Sequence, residues 1–170
     1  MNNNFDATKE KQLILIDKTE LRNYWELVRP GLVALQAEQE TADKWIPEEL
    51  YASIAAGNSS LVFCSMTRQA GMTYKDREAA IKDSCGFCIL QKASNFKESA
   101  LHIWVCCSNE HTNKNGAGSV MRSFNQELSD LATTIGCTAI TFSSNRNFWL
   151  EIGPRFGFEI NEIRYRKEIK

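Results

Sequence analysis

The chain has 170 residues, enough for one domain and few for two, with 43% apolar residues, 24% charged residues and a formal net charge of -1. That balance argues against broad electrostatic binding to nucleic acid or to a membrane surface, which usually shows a basic excess, and leaves room only for a local basic patch. A domain of this length buries roughly 70% of the surface its unfolded chain exposes, so it needs neither a metal nor a disulfide to be stable.

Residues 1–11 read as a loose leader to a single domain spanning 1–170. Met1 to Thr8 is polar and lacks the charged start and apolar stretch of a signal peptide, which places the expected protein in the cytoplasm. Leu13-Ile-Leu-Ile16 predicts a first strand. Asp17 and Thr19 offer N-caps for a helix through about Val28, which Pro30-Gly31 interrupts, and a second helical stretch follows from about Leu32 to Glu40. Asp43 to Ala56 predicts a further helix, with Pro47 tolerable only in its first turn and Gly57-Asn58 as its stop.

The pattern then changes to strands. Ser60 to Met66, Gly86 to Leu90, Leu101 to Cys107 and Thr138 to Phe142 are strand-like, and Phe158 to Ile169 predicts a last one. Residues 67–83 form a polar connection in which Asp76 to Lys82 can make a helical turn. Val120, Phe124, Leu128, Leu131 and Ile135 form an apolar stripe at helical spacing, with Gly136 as the stop. Strand, loop, helix, strand is a βαβ unit, so its two strands should be parallel. The six cysteines fall mostly in apolar segments and read as buried thiols; Cys85-Gly-Phe-Cys88 has no second pair or His partners, so no metal site is expected.

The loop before that helix reads Asn113-Lys-Asn-Gly-Ala-Gly-Ser119. A helix start offers unpaired N–H groups and a partial positive charge. Gly116 and Gly118 allow close approach to the backbone, and Lys114 adds a cation. The loop is therefore a candidate phosphate cradle. It is neither a P-loop nor a dinucleotide fingerprint. The other reading is a tight turn and nothing more.

The element order and this loop resemble the GNAT N-acetyltransferases, whose cofactor loop follows [Gln/Arg]-x-x-Gly-x-[Gly/Ala]. Asn113-Lys-Asn-Gly116-Ala-Gly118 is similar, with Asn in the first place, and Phe156-Gly157-Phe158 resembles the family's Gly-Phe motif. Arg146-Asn-Phe-Trp149 resembles an element of some phage-borne members. The resemblance implies an α/β (α+β) fold: a mixed, mostly antiparallel sheet with one central parallel βαβ unit and flanking helices. It implies acetyl-CoA, or another acyl-CoA, as cofactor. The pantetheine arm would lie between two splayed parallel strands, along 101–108, past Cys106 and Ser108. The pyrophosphate would sit on Asn113, Lys114, Asn115, Gly116, Ala117, Gly118 and Ser119, with Arg146 as a further phosphate contact or as a cap of its own helix. The acceptor would be an amine on a small molecule or a protein.

Many members carry a tyrosine four residues before the Gly of Gly-Phe; here that residue is Gly153, followed by Pro154. Glu110, His111 and Tyr165 are the remaining acid–base candidates, and His102 reads as a hydrogen-bonded strand residue. Glu38, Glu40, Glu48 and Glu49 could attract an amine or simply face solvent. Two other functions fit this pattern. One is an inactive structural or interaction protein of the same fold, such as a phage virion or host-interaction component. The other is a regulatory module that binds coenzyme A. A homo-oligomer is compatible with each.

Overall fold

Leu61 and Phe63 alternate with Val62 and Cys64 along strand β2 (Ser60–Met66), and all four are buried, so this strand has to be covered on both faces. The computed structural model describes residues 6, 9–38, 45–66, 68–69, 72–73, 76–109, 119–144, 146–165 and 167–169, and it supplies both covers. On one face lie α1 (Leu21–Glu38), α2 (Pro47–Ala55) and α3 (Arg77–Lys82). Their Leu21, Val28, Leu32, Leu50, Ile54 and Ile81 meet Leu61 and Phe63, together with Ile14 and Ile16 of β1 (Lys11–Ile16) and Phe87 and Ile89 of β5 (Gly86–Ser94). On the other face lie α4 (Ser119–Ser123) and α5 (Asn125–Thr134). There Val120, Met121, Phe124 and Leu128 meet Val62, Cys64, Cys88 and Leu90, and also Leu101 and Ile103 of β6 (Ser99–Ser108).

The sheet runs β1-β2-β5-β6-β7, with β7 at Ala139–Phe142. Every pairing is antiparallel except the last: β6 and β7 are parallel, as the βαβ pattern requires. This is the mixed, mostly antiparallel sheet with flanking helices that the element order implied. Residues 68–69 (β3) and 72–73 (β4) add a small separate hairpin inside the polar connection. Among the described residues, no helix is long and apolar enough to cross a membrane.

Local signals account for several elements. Pro47 opens α2, where its missing N–H costs nothing, and the Glu49 carboxylate accepts from the Ile46 N–H at 3.2 Å. Asp76 caps α3 by accepting from the Ala79 N–H at 2.8 Å. Gly136, at φ +76°, ends α5, and Lys92 donates to the Ile135 carbonyl at 2.7 Å.

Three expectations are corrected. Pro30-Gly31 does not divide α1, which runs unbroken from Leu21 to Glu38. Val28 and Leu32, both fully buried on either side of the pair, hold the helix to the sheet. Gly31 also has a packing role: a Cβ there would lie 2.9 Å from Cys107 Sγ and 3.2 Å from the Phe87 ring, so its absence lets α1 settle closely on β5 and β6. The stripe from Val120 to Ile135 is two helical pieces, because Phe124 leaves helical geometry (φ -113°, ψ 17°). Its ring is fully buried, and the bonds Phe124 N–H to Val120 O and Leu128 N–H to Phe124 O, both 2.9 Å, carry the chain through the break. Finally, the segment from Phe158 to Ile169 is not a strand among the described residues. Ile160, Ile163, Tyr165 and Ile169 all stand exposed.

Candidate functional site

Strand β6 pairs with two neighbours over different lengths. Its parallel ladder with β7 covers only Ala100↔Ala139 to Ile103↔Phe142. On the other side it stays paired with β5 as far as Ser108↔Gly86. The β5–β6 register jumps from Leu90↔Ile103 to Ile89↔Val105, which leaves Trp104 as an extra residue. Such a bulge bends a strand and increases its twist. It also switches the faces: Leu101 and Ile103 point to the α4–α5 layer, whereas Val105 and Cys107 point to the α1 layer. From Trp104 to Ser108, then, β6 is paired to β5 and has left β7.

The described residues on either side of 110–118 meet at the end of this half of β6. The Ser108 hydroxyl accepts from the Val120 N–H at 3.4 Å, which ties the end of β6 to the start of α4. The Asn109 N–H donates to the Cys85 carbonyl at 2.9 Å, and its side-chain amide donates to the Ser84 carbonyl. Gly86 makes this convergence sterically feasible. A Cβ there would lie 2.1 Å from the Cys107 carbonyl oxygen and 2.9 Å from the Val120 side chain. Glu110, His111, Asn113, Lys114, Asn115, Gly116, Ala117 and Gly118 lie outside the described residues. Ser119 opens α4.

The cysteines of β6 are poor nucleophiles. Cys88 Sγ and Cys106 Sγ lie 3.6 Å apart, and the thiol–thiol hydrogen bond with Cys106 as donor, followed by burial, pushes the Cys106 thiol well above its ordinary range. Burial, then Cys106 and then Glu38, push Cys107 up to about 11. Both stay protonated at neutral pH, whereas catalytic thiols need the opposite shift.

Glu38 connects regions far apart in sequence. It stands at the C-terminal end of α1, and its charge reaches Cys107 on the half of β6 that has left β7. The Arg146 guanidinium bonds its carboxylate at 3.0 Å from beyond the end of β7. Arg146 thus engages a carboxylate of α1, a partner that the local sequence around position 146 could not reveal. His102 bonds the Thr141 hydroxyl at 2.9 Å across the β6–β7 ladder, a structural position. Tyr165 is 89% exposed in the segment after Phe158.

Comparison with solved structures shows the fold: the chain has the fold of the GNAT acetyltransferases. An aminoglycoside acetyltransferase from an uncultured soil metagenomic sample, solved with sisomicin, superposes with a TM-score of 0.58 at 8% identity, covering 97% of this chain and 100% of that one. A GNAT family acetyltransferase of Staphylococcus aureus gives 0.56 at 11% identity, with 95% and 100% covered. A ribosomal-protein-alanine N-acetyltransferase from Brucella melitensis biovar Abortus gives 0.54 at 10% identity, with 94% and 99% covered. No family model and no curated protein matches the sequence.

Proposed function

We propose that this chain is an acyl-CoA-dependent N-acyltransferase, with acetyl transfer as its default reaction. The observation that supports this most strongly is the half of β6 that has left β7. Backbone groups from Trp104 to Ser108 face a side that β7 no longer occupies, which suits an extended, amide-bearing cofactor arm. Cys106 and Ser108 would flank that arm. Asn113 to Ser119 would hold the pyrophosphate through backbone N–H groups, with Lys114 adding positive charge. When bound, the cofactor supplies the acyl group as a thioester open to direct attack by an amine.

The chain's own contribution is position. In this reading an incoming ammonium group exchanges for Arg146 on the Glu38 carboxylate, near Cys107 on the half of β6 that has left β7. With Gly153 at the usual acid position, the rate would rest on orientation and on backbone polarisation of the acyl carbonyl. The solved structures of this fold include an enzyme named for aminoglycosides and one named for a protein alanine, so both a small-molecule amine and a protein amine fit as acceptor classes.

That same Gly153-Pro154 pair favours a second reading, a module that binds coenzyme A without transfer. The two are separated by measuring free coenzyme A thiol released from acetyl-CoA against aminoglycosides, polyamines and peptides with free N-termini. Release that depends on the amine supports transfer. Acetyl-CoA binding without release from any amine supports the module.

A further inference from the structure

We propose that Cys88 and Cys106 are a redox pair, two thiols that a peroxide joins in a disulfide between β5 and β6 and that a thiol reductant releases. All six cysteines of the chain are thiols in this structure. Three of them, Cys64, Cys88 and Cys106, stand on adjacent strands, on the sheet face that α4 and α5 cover. Cys88 Sγ and Cys106 Sγ are 3.6 Å apart.

The register selects this pair. Cys88 lies directly opposite Cys106 in the antiparallel ladder. At the end of that ladder the Asn109 N–H donates to the Cys85 carbonyl at 2.9 Å, the bond of a hydrogen-bonded pair. Pair types alternate along such a ladder, so Cys88 and Cys106, three steps further, form a non-hydrogen-bonded pair. Opposed Cα atoms in that pair type come to about 4.5 Å, within the roughly 4.4 to 6.8 Å that a disulfide spans. Two other pairings fail this test. Cys64 lies opposite Gly86, so it meets Cys88 only on the diagonal, at about 7 to 8 Å. Cys106 and Cys107 are neighbours in sequence but point to opposite faces of the sheet.

The two members differ in access. Cys88 is fully buried beneath the α4–α5 layer, whereas Cys106 keeps part of its surface exposed, on the half of β6 that has left β7. Cys106 therefore meets the oxidant first. Its sulfur takes one oxygen of hydrogen peroxide: the O–O bond breaks, an S–O bond forms and one water leaves. The Cys88 sulfur then attacks that sulfenic acid, so that the S–S bond forms, the S–O bond breaks and a second water leaves. Two thiols have lost two electrons and two protons, and one peroxide has become two waters. Both thiols hold their protons at neutral pH, so the change is slow and follows dose and time. The bond then fastens β5 to the stretch of β6 that β7 does not accompany.

This inference stands apart from the catalytic reading and is tested without cofactor. Reduced protein is held with about 1 mM hydrogen peroxide for several hours, then alkylated in denaturant. Two of the six thiols should escape alkylation, the mass should fall by two hydrogens, and peptide mapping should join Cys88 to Cys106. Dithiothreitol should restore every thiol. The oxidised protein should melt about 5 °C or more above the reduced one, because the link closes a separation of 18 residues that the unfolded chain otherwise explores. Cys88→Ala and Cys106→Ala should each abolish the link, and Cys64→Ala should leave it. A full set of alkylated thiols in the unaltered protein after peroxide would overturn the proposal. So would a link from Cys88 to Cys64 or Cys85, sulfinic acid at Cys106 in place of the link, or a melt no higher than that of the reduced protein.

Discussion

Glu38 is the residue on which acceptor binding depends in the proposed reaction. It is the C-terminal residue of α1, is bonded by Arg146 at 3.0 Å, and lies within electrostatic reach of Cys107. If it receives the acceptor's ammonium group, Glu38→Gln should raise the KM for the amine roughly tenfold with little change in kcat, the size of one hydrogen bond to a charged group. Arg146→Ala should act in the opposite direction, lowering that KM, because the competing guanidinium is gone. Steady-state kinetics with the amine as varied substrate checks both. Equal KM values in all three proteins would remove Glu38 from the acceptor site. The sequence could register an acidic region here but not this pairing, because the two residues stand 108 positions apart and neither carries a local motif for the other. His102 was easier to read, since alternation on a strand already set it against a neighbouring strand.

The elements most legible in the sequence were those governed by local rules. Pro47 at the start of α2, Asp76 at the start of α3 and the alternation of β2 each follow from a few adjacent residues. Where distant packing decides the outcome, local rules misled. Pro30-Gly31 reads as a break, yet the buried Val28 and Leu32 keep α1 whole. Residues 158–169 read as a strand, but a strand needs an edge of its own length, and β7 offers four residues. The bulge at Trp104 was also hidden: it is a mismatch between two strands and belongs to neither alone. Gly86 tests how closely the elements meet at the end of β6. Gly86→Ala would force a Cβ to within 2.1 Å of the Cys107 carbonyl oxygen, so backbone must move. The expected cost is about 3 kcal/mol, the upper part of the overpacking range, measured by urea unfolding. A cost below about 0.5 kcal/mol would show that β5 and β6 do not approach as closely as described.

For the molecule as a whole, the cysteines set an alkaline limit. Folded Cys107 keeps its proton to about 11, above the ordinary thiol value of 9.0, and Cys85 and Cys106 shift in the same direction. Between those values the unfolded chain binds fewer protons than the folded one, so stability is fully present below about pH 9 and is lost as pH rises toward 11. The melting temperature should fall across that window, and Cys107→Ser should make the fall shallower; an identical slope would assign the decline to other groups. The fold itself leaves activity open, since one architecture serves many functions. Coenzyme A binding is therefore tested most directly by a thermal melt with acetyl-CoA, beside the same melt for Gly118→Glu. At ~100 times its dissociation constant the ligand adds roughly 2.7 kcal/mol, which for a chain of this length raises Tm by about 5 to 10 °C. That shift is expected in the unaltered protein, and its loss in Gly118→Glu, whose carboxylate would stand against the pyrophosphate. No shift in the unaltered protein at millimolar acetyl-CoA, or an equal shift in both proteins, would contradict it.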